Sequence, residues 1–409
     1  MKNKNKRKKP WTRFRHRVFA PIIRFFILRP AIYFRYRFFV RRFREQGKRN
    51  YLILMNHQTA FDQFFVSMAF RGPVYTVSSE DLLSNGWISR MISWIIAPIP
   101  IRKSMTDARA VMTCMRVARE GGNISMAPEG NRTYDGLPCY IKPSVASLAR
   151  ALKLPVAIFR IEGGYGVHPR WSDVCRRGKM TAGVTEVIEP EQYASLTDAE
   201  FYSLLVEKLR VDETKPEGEY RHKKNAEYLE RAIYWCPTCG LSRFESHGDV
   251  ITCQKCGLTV RHLPTLCLEG VGREFPYQTV SEWYGAQTRF MLGIDLAPYA
   301  DTPVYTDTVD LIRVIPYQKK VPMASGVSFS VFADRYEITG EGLSLVIPFS
   351  ELIATTVLGR NKLNLYRGEE ILQIKGEPRF NALKHMNIYY RAKQGEEGND
   401  NGESEFLGI

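Results

Sequence analysis

The heptapeptide Asn56-His57-Gln58-Thr59-Ala60-Phe61-Asp62 follows Tyr51-Leu52-Ile53-Leu54-Met55, a continuous apolar run that predicts a buried strand. It therefore puts a histidine at a strand end and an aspartate just inside the next helix. A second segment, Pro128-Glu129-Gly130-Asn131-Arg132-Thr133, follows the strand-like run Ile124-Ser125-Met126-Ala127. An arginine thus stands just past a glycine turn at the end of another strand. Histidine has the side chain whose ordinary pKa lies nearest neutrality, so His57 can take a proton from an alcohol, and Asp62 can fix its tautomer. No Ser or Cys stands beside the pair as a nucleophile. The same spacing recurs at His168 and Asp173, but after Gly163-Gly164-Tyr165-Gly166 and with Pro169 next to the histidine. That copy reads as loop.

Two further blocks complete a pattern. One is Ile95-Ile96-Ala97-Pro98-Ile99-Pro100-Ile101-Arg102, followed by Lys103; the other is Leu154-Pro155-Val156-Ala157-Ile158-Phe159. In order and spacing the four blocks, over roughly residues 45–210, resemble those of the glycerolipid acyltransferases, the family that includes 1-acylglycerol-3-phosphate acyltransferase. The chain departs from that family in three places. Asn131 replaces Thr or Ser, Ser78-Ser79-Glu80-Asp81-Leu82 lacks a common lysine, and the last block has one proline instead of two.

The resemblance implies an O-acyltransferase in which the substrate hydroxyl attacks an acyl thioester directly, with acyl-CoA or acyl-acyl carrier protein as donor. The expected acceptor is a lysophospholipid, most simply lysophosphatidate. Glycerol 3-phosphate or another lysolipid is the alternative within the enzyme class, and a non-catalytic membrane adaptor the alternative outside it. His57 and Asp62 are the catalytic candidates. Arg102 and Arg132 are the candidate phosphate ligands, because a guanidinium fork matches phosphate oxygens. Gly130 can add backbone donors, and Glu129, which would repel phosphate, is expected to order the arginines or the acceptor hydroxyls.

Net charge is +15, and all of the excess lies in one arm: residues 1–50 hold 18 Lys or Arg against Glu45 alone. Aromatics interleave with these cations. Phe14, Val18, Ile22 and Phe25 form one helical stripe, and Tyr33, Tyr36, Val40 and Phe43 another, with Pro21 and Pro30 expected to break the arm into segments. Such helices suit an anionic membrane surface, on its cytoplasmic face, with the protein peripheral or monotopic. No run of 18 residues lacks charges, so no spanning helix is expected. Basic clusters with aromatics also suit nucleic acid, but that reading leaves the four blocks unexplained.

Cys236-Pro237-Thr238-Cys239 and Cys253-Gln254-Lys255-Cys256 are two knuckles with 13 residues between the inner cysteines. This is a zinc-ribbon spacing, and four thiolates make a closed, structural Zn2+ site. The isolated Cys114, Cys139, Cys175 and Cys267 read as small apolar residues. A helix is expected over Tyr220 to Tyr234. Beyond residue 300, seven short strands are expected: Val309–Pro316, Val327–Phe332, Arg335–Thr339, Leu343–Pro348, Ile353–Leu358, Leu363–Tyr366 and Glu370–Lys375. A helix over Phe380–Arg391 follows. Their order resembles pleckstrin-homology-like lipid-interaction domains.

The predicted fold class is α/β: an acyltransferase domain with N-terminal interfacial helices, then a zinc ribbon and a small β barrel. The divisions are a membrane-interface arm (1–45), the acyltransferase domain (46–215), a helix with the ribbon (216–270), the barrel (300–393) and a Gly-, Asn- and Glu-rich tail expected to be disordered (394–409).

Overall fold

The computed structural model describes residues 9–101 and 107–397. Arg102 and Lys103, and most of the tail expected to be disordered, lie outside them. The chain opens with α1 (Phe14–Ile23), a π-helical turn (Arg24–Leu28) and α2 (Arg29–Tyr36). The α/β part then runs β1 (Leu52–Met55), α3 (Asp62–Ala69), β2 (Val74–Ser79), α4 (Trp87–Ile95), β3 (Ile99–Ile101), α5 (Ala108–Arg119) and β4 (Asn123–Met126). It finishes with α6 (Ser144–Leu152), β5 (Val156–Glu162), α7 (Gly164–Val167), β6 (Thr181–Ile188), α8 (Pro190–Ala194) and α9 (Asp198–Leu209).

The six strands form one sheet in the order β3-β2-β4-β1-β5-β6. Every pairing is parallel except that of β5 with β6. β1 lies in the middle and is buried along its whole length, which is why its sequence is an unbroken apolar run rather than an alternation. Its residues divide between two cores. Ile53 and Met55 pack with Phe65, Val66 and Tyr36 on one face, and Leu52 and Leu54 with Cys114, Val117, Ala149 and Leu205 on the other. Because β1 and β4 are adjacent and parallel, with Leu54 opposite Met126, their carboxyl ends emerge side by side. That is where open parallel sheets place their ligands.

The basic arm differs from its sequence reading in three respects. Pro21 and Pro30 do not divide it, because α1 and α2 are continuous through the π turn, where the N–H of Arg29 reaches the carbonyl of Arg24. The wider turn lies directly before Pro30, which has no N–H to lose. The second stripe is not helical beyond Tyr36. Arg37 is left-handed (φ 59°), and the following residues are extended, with the Arg41 N–H on the Ala182 carbonyl at 2.9 Å. Tyr36, Val40 and Phe43 are accordingly core residues. The first stripe is unburied: Phe14, Val18, Ile22 and Phe25 are all exposed, while His16 and Arg24 on the same helix are buried.

The second half of the chain begins with extended and turn structure. Tyr220–Tyr234 contains no α-helix, only a 3-10 turn at Leu229–Arg231, which corrects the expected helix. Its backbone is claimed by tertiary partners. Arg221 bridges to Arg177, Tyr220 N–H donates to Pro264 O, Ala226 N–H donates to Gly248 O, and Tyr228 is left-handed. The ribbon comprises β7 (Trp235–Cys236), β8 (Gly240–Leu241), β9 (Phe244–His247), β10 (Val250–Cys253), β11 (Thr259–His262) and β12 (Leu268–Val271), then α10 (Val280–Gly293).

The remaining strands are β13 (Tyr305–Ile315), β14 (Lys319–Val331), β15 (Arg335–Gly340), β16 (Leu343–Pro348), β17 (Ala354–Leu358), β18 (Lys362–Arg367) and β19 (Glu370–Gly376), before α11 (Ala382–Glu397). They form one seven-stranded antiparallel sheet, β16-β15-β14-β13-β19-β18-β17, whose inner face closes on α11. The expected barrel takes this form. Among the described residues its seam between β16 and β17 is spanned by the turn Phe349–Glu351 rather than by ladder hydrogen bonds.

One core joins these parts. Ribbon residues Cys236, Ile251 and Val260, Trp283 of α10, the inner face of the β sheet and α11 share it with Tyr134 and Trp171 from the α/β part. Polar contacts strengthen the join. Tyr366 donates to the buried Glu80 carboxylate at 2.6 Å, Lys320 pairs with Asp81 at 2.6 Å, and Arg231 donates to Trp171 O at 3.0 Å.

Candidate active site

His57 and Asp62 are brought together by a turn of six residues at the end of β1. His57 Nδ1 lies 2.8 Å from Asp62 Oδ2. Asp62 is fully buried, and its carboxylate also accepts from Gln58 N (2.7 Å), Thr59 N (3.0 Å) and Thr59 Oγ1 (2.6 Å). An ionised carboxylate can only accept, so the imidazole proton sits on Nδ1 and the Nε2 lone pair is the basic one. Asn56 fixes the strand end beneath, exchanging two 2.8 Å hydrogen bonds with the backbone of Ile161 on β5. Such an imidazole can take a proton from an alcohol.

The second segment closes over the first. Gly130 has φ +70°, a left-handed value that favours glycine, and its N–H is bonded to Ala127 O at 3.0 Å. Its part in the site is therefore the turn rather than a ligand-facing donor. Glu129 does not order the arginines as expected. Its carboxyl accepts the N–H of His57 and the N–H of Cys139, each at 3.0 Å, clipping both loops together. Burial pushes this carboxyl up to about 7, against the pull of those two N–H groups, and the charge of Asp62 adds to the rise. Thr133 N–H donates to His57 O at 3.3 Å, so the peptide after Arg132 lies against the histidine itself.

Arg132 is 8% exposed, and its Nη1 is buried with no hydrogen-bond partner among the described residues. Burial, then Arg170 and Arg360, push this guanidinium down to about 10, while Asp62 pulls the other way. Arg102 lies outside the described residues.

Two arginines here, Arg170 and Arg360, went unnoticed in the sequence, and His168 was read only as part of a loop. Arg170 donates from Nη1 to Arg132 O at 3.1 Å and lies 4.2 Å over the Tyr134 ring. Arg360, from the β17–β18 turn, reaches His168 Nε2 at 3.2 Å and Asp173 Oδ1 at 2.6 Å. His168 is fully buried, with Nδ1 2.9 Å from Tyr36 Oη. A guanidinium is always a donor, so His168 Nε2 accepts and Nδ1 donates. Burial and the neighbouring Arg132, Arg360 and Arg35 hold this imidazole down near 3. His168 and Asp173 thus both engage Arg360 instead of pairing with each other. The one sequence signal was their spacing.

Residues 37–161 match the family model described as Acyltransferase. The match places an acyltransferase domain in this segment, in line with the resemblance read from its motifs. Over 136 residues the chain is 21% identical to the 1-acyl-sn-glycerol-3-phosphate acyltransferase of Bacillus subtilis (strain 168), covering 33% of this chain and 65% of that protein. The chain therefore spans just under two thirds of the length of that relative. Among solved structures, the 1-acyl-sn-glycerophosphate acyltransferase of Thermotoga maritima aligns at 18% identity with a TM-score of 0.37, covering 47% of this chain and 75% of that one. The matched family segment contains His57, Asp62, Glu129, Gly130 and Arg132, but not Arg170, the ribbon or Arg360.

Outside the acyltransferase domain, Cys236, Cys239, Cys253 and Cys256 bring their sulfurs within 4.8 Å of one another. Two separations are 3.6 Å, Cys236 to Cys256 and Cys239 to Cys253. Four thiolates about 2.3 Å from a central ion lie roughly 3.8 Å apart in a tetrahedron, so the cluster fits a metal ion of zinc's size.

Proposed function

We propose that this protein transfers a fatty acyl group from an acyl thioester to the free hydroxyl of lysophosphatidate, forming phosphatidate. The observation that carries the reading is the His57–Asp62 pair at the end of β1, next to the Glu129–Arg132 turn at the end of β4. His57 Nε2 takes the hydroxyl proton as the oxygen attacks the thioester carbonyl. Asp62 stabilises the imidazolium that forms. Collapse of the tetrahedral intermediate breaks the C–S bond, and the departing thiolate recovers the proton from His57. Arg132 holds the acceptor phosphate, which positions the hydroxyl over the imidazole.

The lipid acceptor comes from a membrane surface. Among the described residues no helix is long and apolar enough to cross a membrane. Instead α1 and the π turn present Phe14, Ile22, Phe25, Phe26 and Ile27, and α4 adds Trp87, Met91 and Trp94, all exposed. The two helices touch, with the Phe19 ring tilted against Trp94 at 5.3 Å and Arg15 Nε on Trp94 O at 2.8 Å. Exposed aromatics rimmed by arginines suit an anionic lipid interface on the cytoplasmic side. The end of α2 abuts the site, since the Tyr36 ring packs 5.6 Å from Phe61, one residue before Asp62. A lipid lifted from that interface has a short path to His57.

The cysteine cluster is a structural Zn2+ site. Four thiolates leave tetrahedral zinc no open position, so its contribution is to hold the ribbon against the shared core. A labelled-acyl assay on detergent-solubilised protein, with acyl-CoA and acyl-acyl carrier protein each offered to lysophosphatidate, glycerol 3-phosphate and other lysolipids, tests the reading. Labelled phosphatidate is expected. Failure to label any acceptor with either donor overturns it.

A further inference from the structure

We propose that the C-terminal β domain forms part of the acceptor site: Arg360, at the tip of the β17–β18 hairpin, binds the acceptor's phosphate group together with Arg132 and Arg170. The inference rests on the acyl-transfer reading above, and it assigns a substrate-binding role to a part of the chain outside the acyltransferase family segment.

The hairpin tip is held in place from both sides. Gly359 takes a left-handed turn (φ +60°), and Asn361 Nδ2 donates to Gly376 O at 2.6 Å and to Glu377 O at 3.1 Å. Gly376 N–H in turn donates to Asn361 O at 3.1 Å. Arg360 therefore projects from a fixed turn. A closed circuit of contacts joins it to the catalytic loops. Arg170 donates to Arg132 O at 3.1 Å and to Val357 O of β17 at 3.2 Å, and Arg360 reaches His168 and Asp173, which flank Arg170 in sequence. The other end of the circuit meets His57 through the Thr133 N–H.

The charges in this circuit do not balance. Arg132 and Arg170 are 8% and 3% exposed, yet the hydrogen bonds seen for Arg170 go to neutral carbonyls, and Arg132 Nη1 has none among the described residues. The carboxylate of Asp173 is shared between Arg231 and Arg360, at 2.8 and 2.6 Å. His168 adds no compensating anion and is neutral at physiological pH. Buried cations without anionic partners are costly, so the cluster as it stands calls for an anion. A phosphomonoester supplies two charges and several acceptor oxygens to planar forks that match them. Arg360, whose side chain is about one-third exposed, is the member of the trio that an arriving ligand meets first.

A phosphate can come from either substrate, and the experiment separates the sources. Thermal unfolding of the full chain is followed in a titration with inorganic phosphate, for wild type and Arg360→Ala. Wild type should be stabilised, and Arg360→Ala should need about tenfold more phosphate or beyond for the same effect, the loss expected of one charged hydrogen-bonding partner. Steady-state assays then compare substrates. The KM for lysophosphatidate should rise about tenfold, while the KM for the acyl donor stays put. Should Arg360→Ala fail to fold, Arg360→Gln keeps a hydrogen bond to Asp173 without the charge, and it should show the same loss of phosphate binding.

Equal phosphate stabilisation of wild type and variant overturns the proposal, and so does a wild type that phosphate does not stabilise. A rise in donor KM without a rise in acceptor KM also overturns it, since the phosphate sensed is then the donor's. A wild type that binds phosphate through Arg360 but acylates no lysophosphatidate leaves this site standing and removes the function proposed above.

Discussion

Asp62 Oδ2 lies 2.8 Å from His57 Nδ1 while the same carboxylate takes the N–H groups of Gln58 and Thr59, so the imidazole is oriented by a group that is itself fixed. Asp62→Asn should therefore do more than remove a charge. Oδ2 accepts from His57 Nδ1 and Gln58 N while Oδ1 accepts from Thr59 N and Oγ1, and an amide, with an NH2 in one of these places, cannot serve both sets. The expected fall in kcat is about 10²- to 10⁴-fold, by the general worth of base catalysis and of an orienting acid. A steady-state assay at saturating acceptor measures it, and an unchanged kcat removes the orienting role.

Glu129 gives a pH signature. Burial raises its carboxyl from 4.5 to about 7 in the folded protein, so the folded state holds this proton more tightly than the unfolded chain does. Its contribution to stability is full below about 4.5, declines as pH rises, and is lost above about 7. Relative to Glu129→Gln, which does not titrate, wild type should lose up to about 3 kcal/mol over that window and then level off. Urea unfolding of both proteins at a series of pH values reads the difference. A difference independent of pH contradicts it.

The exposed aromatics of α1, the π turn and α4 predict how membrane binding is divided. Burying one such ring is worth about 1.5–3 kcal/mol. Phe26→Ser combined with Trp87→Ser should weaken sedimentation with anionic vesicles by roughly a hundredfold, with little change in folding because both side chains are exposed. Equal sedimentation of variant and wild type counts against this surface.

Metal content tests the ribbon. Dialysed protein should hold about one zinc per chain, and Cys253→Ser should lower that content. Cys253 belongs to the core that also contains Trp283 and the inner face of the β sheet. Chelation should therefore lower the unfolding temperature of the C-terminal half as a whole, followed by circular dichroism. Metal-free protein with undiminished stability rejects the site.

The sequence was most informative where one local pattern sufficed. All seven strands expected beyond residue 300 are present, Leu343–Pro348 with the same bounds, because turn residues punctuate alternating apolar runs there, although β14 begins at Lys319, eight residues before its expected start. His57, Asp62, Glu129 and Arg132 were legible because each stands at the end of a buried strand. That the two strands are neighbours is a property of the sheet. Arg360 lay out of reach for the same reason, being separated from Arg132 by more than 200 residues and brought near it by the docking of a whole domain. The helix expected at Tyr220–Tyr234 failed because tertiary partners take its backbone groups. The α4 helix did leave a signal, with Trp87, Ile88, Met91, Trp94 and Ile95 at helical spacing, but it adjoins the apolar block at Ile95–Ile101 and merges with it.

Turnover of labelled acyl thioester and lysophosphatidate by wild type and by His57→Ala is the most direct test of proton removal by this imidazole. Wild type should give phosphatidate, and the variant a rate lower by about a thousandfold or more with an unchanged unfolding temperature. A folded His57→Ala protein that turns over at the wild-type rate contradicts it.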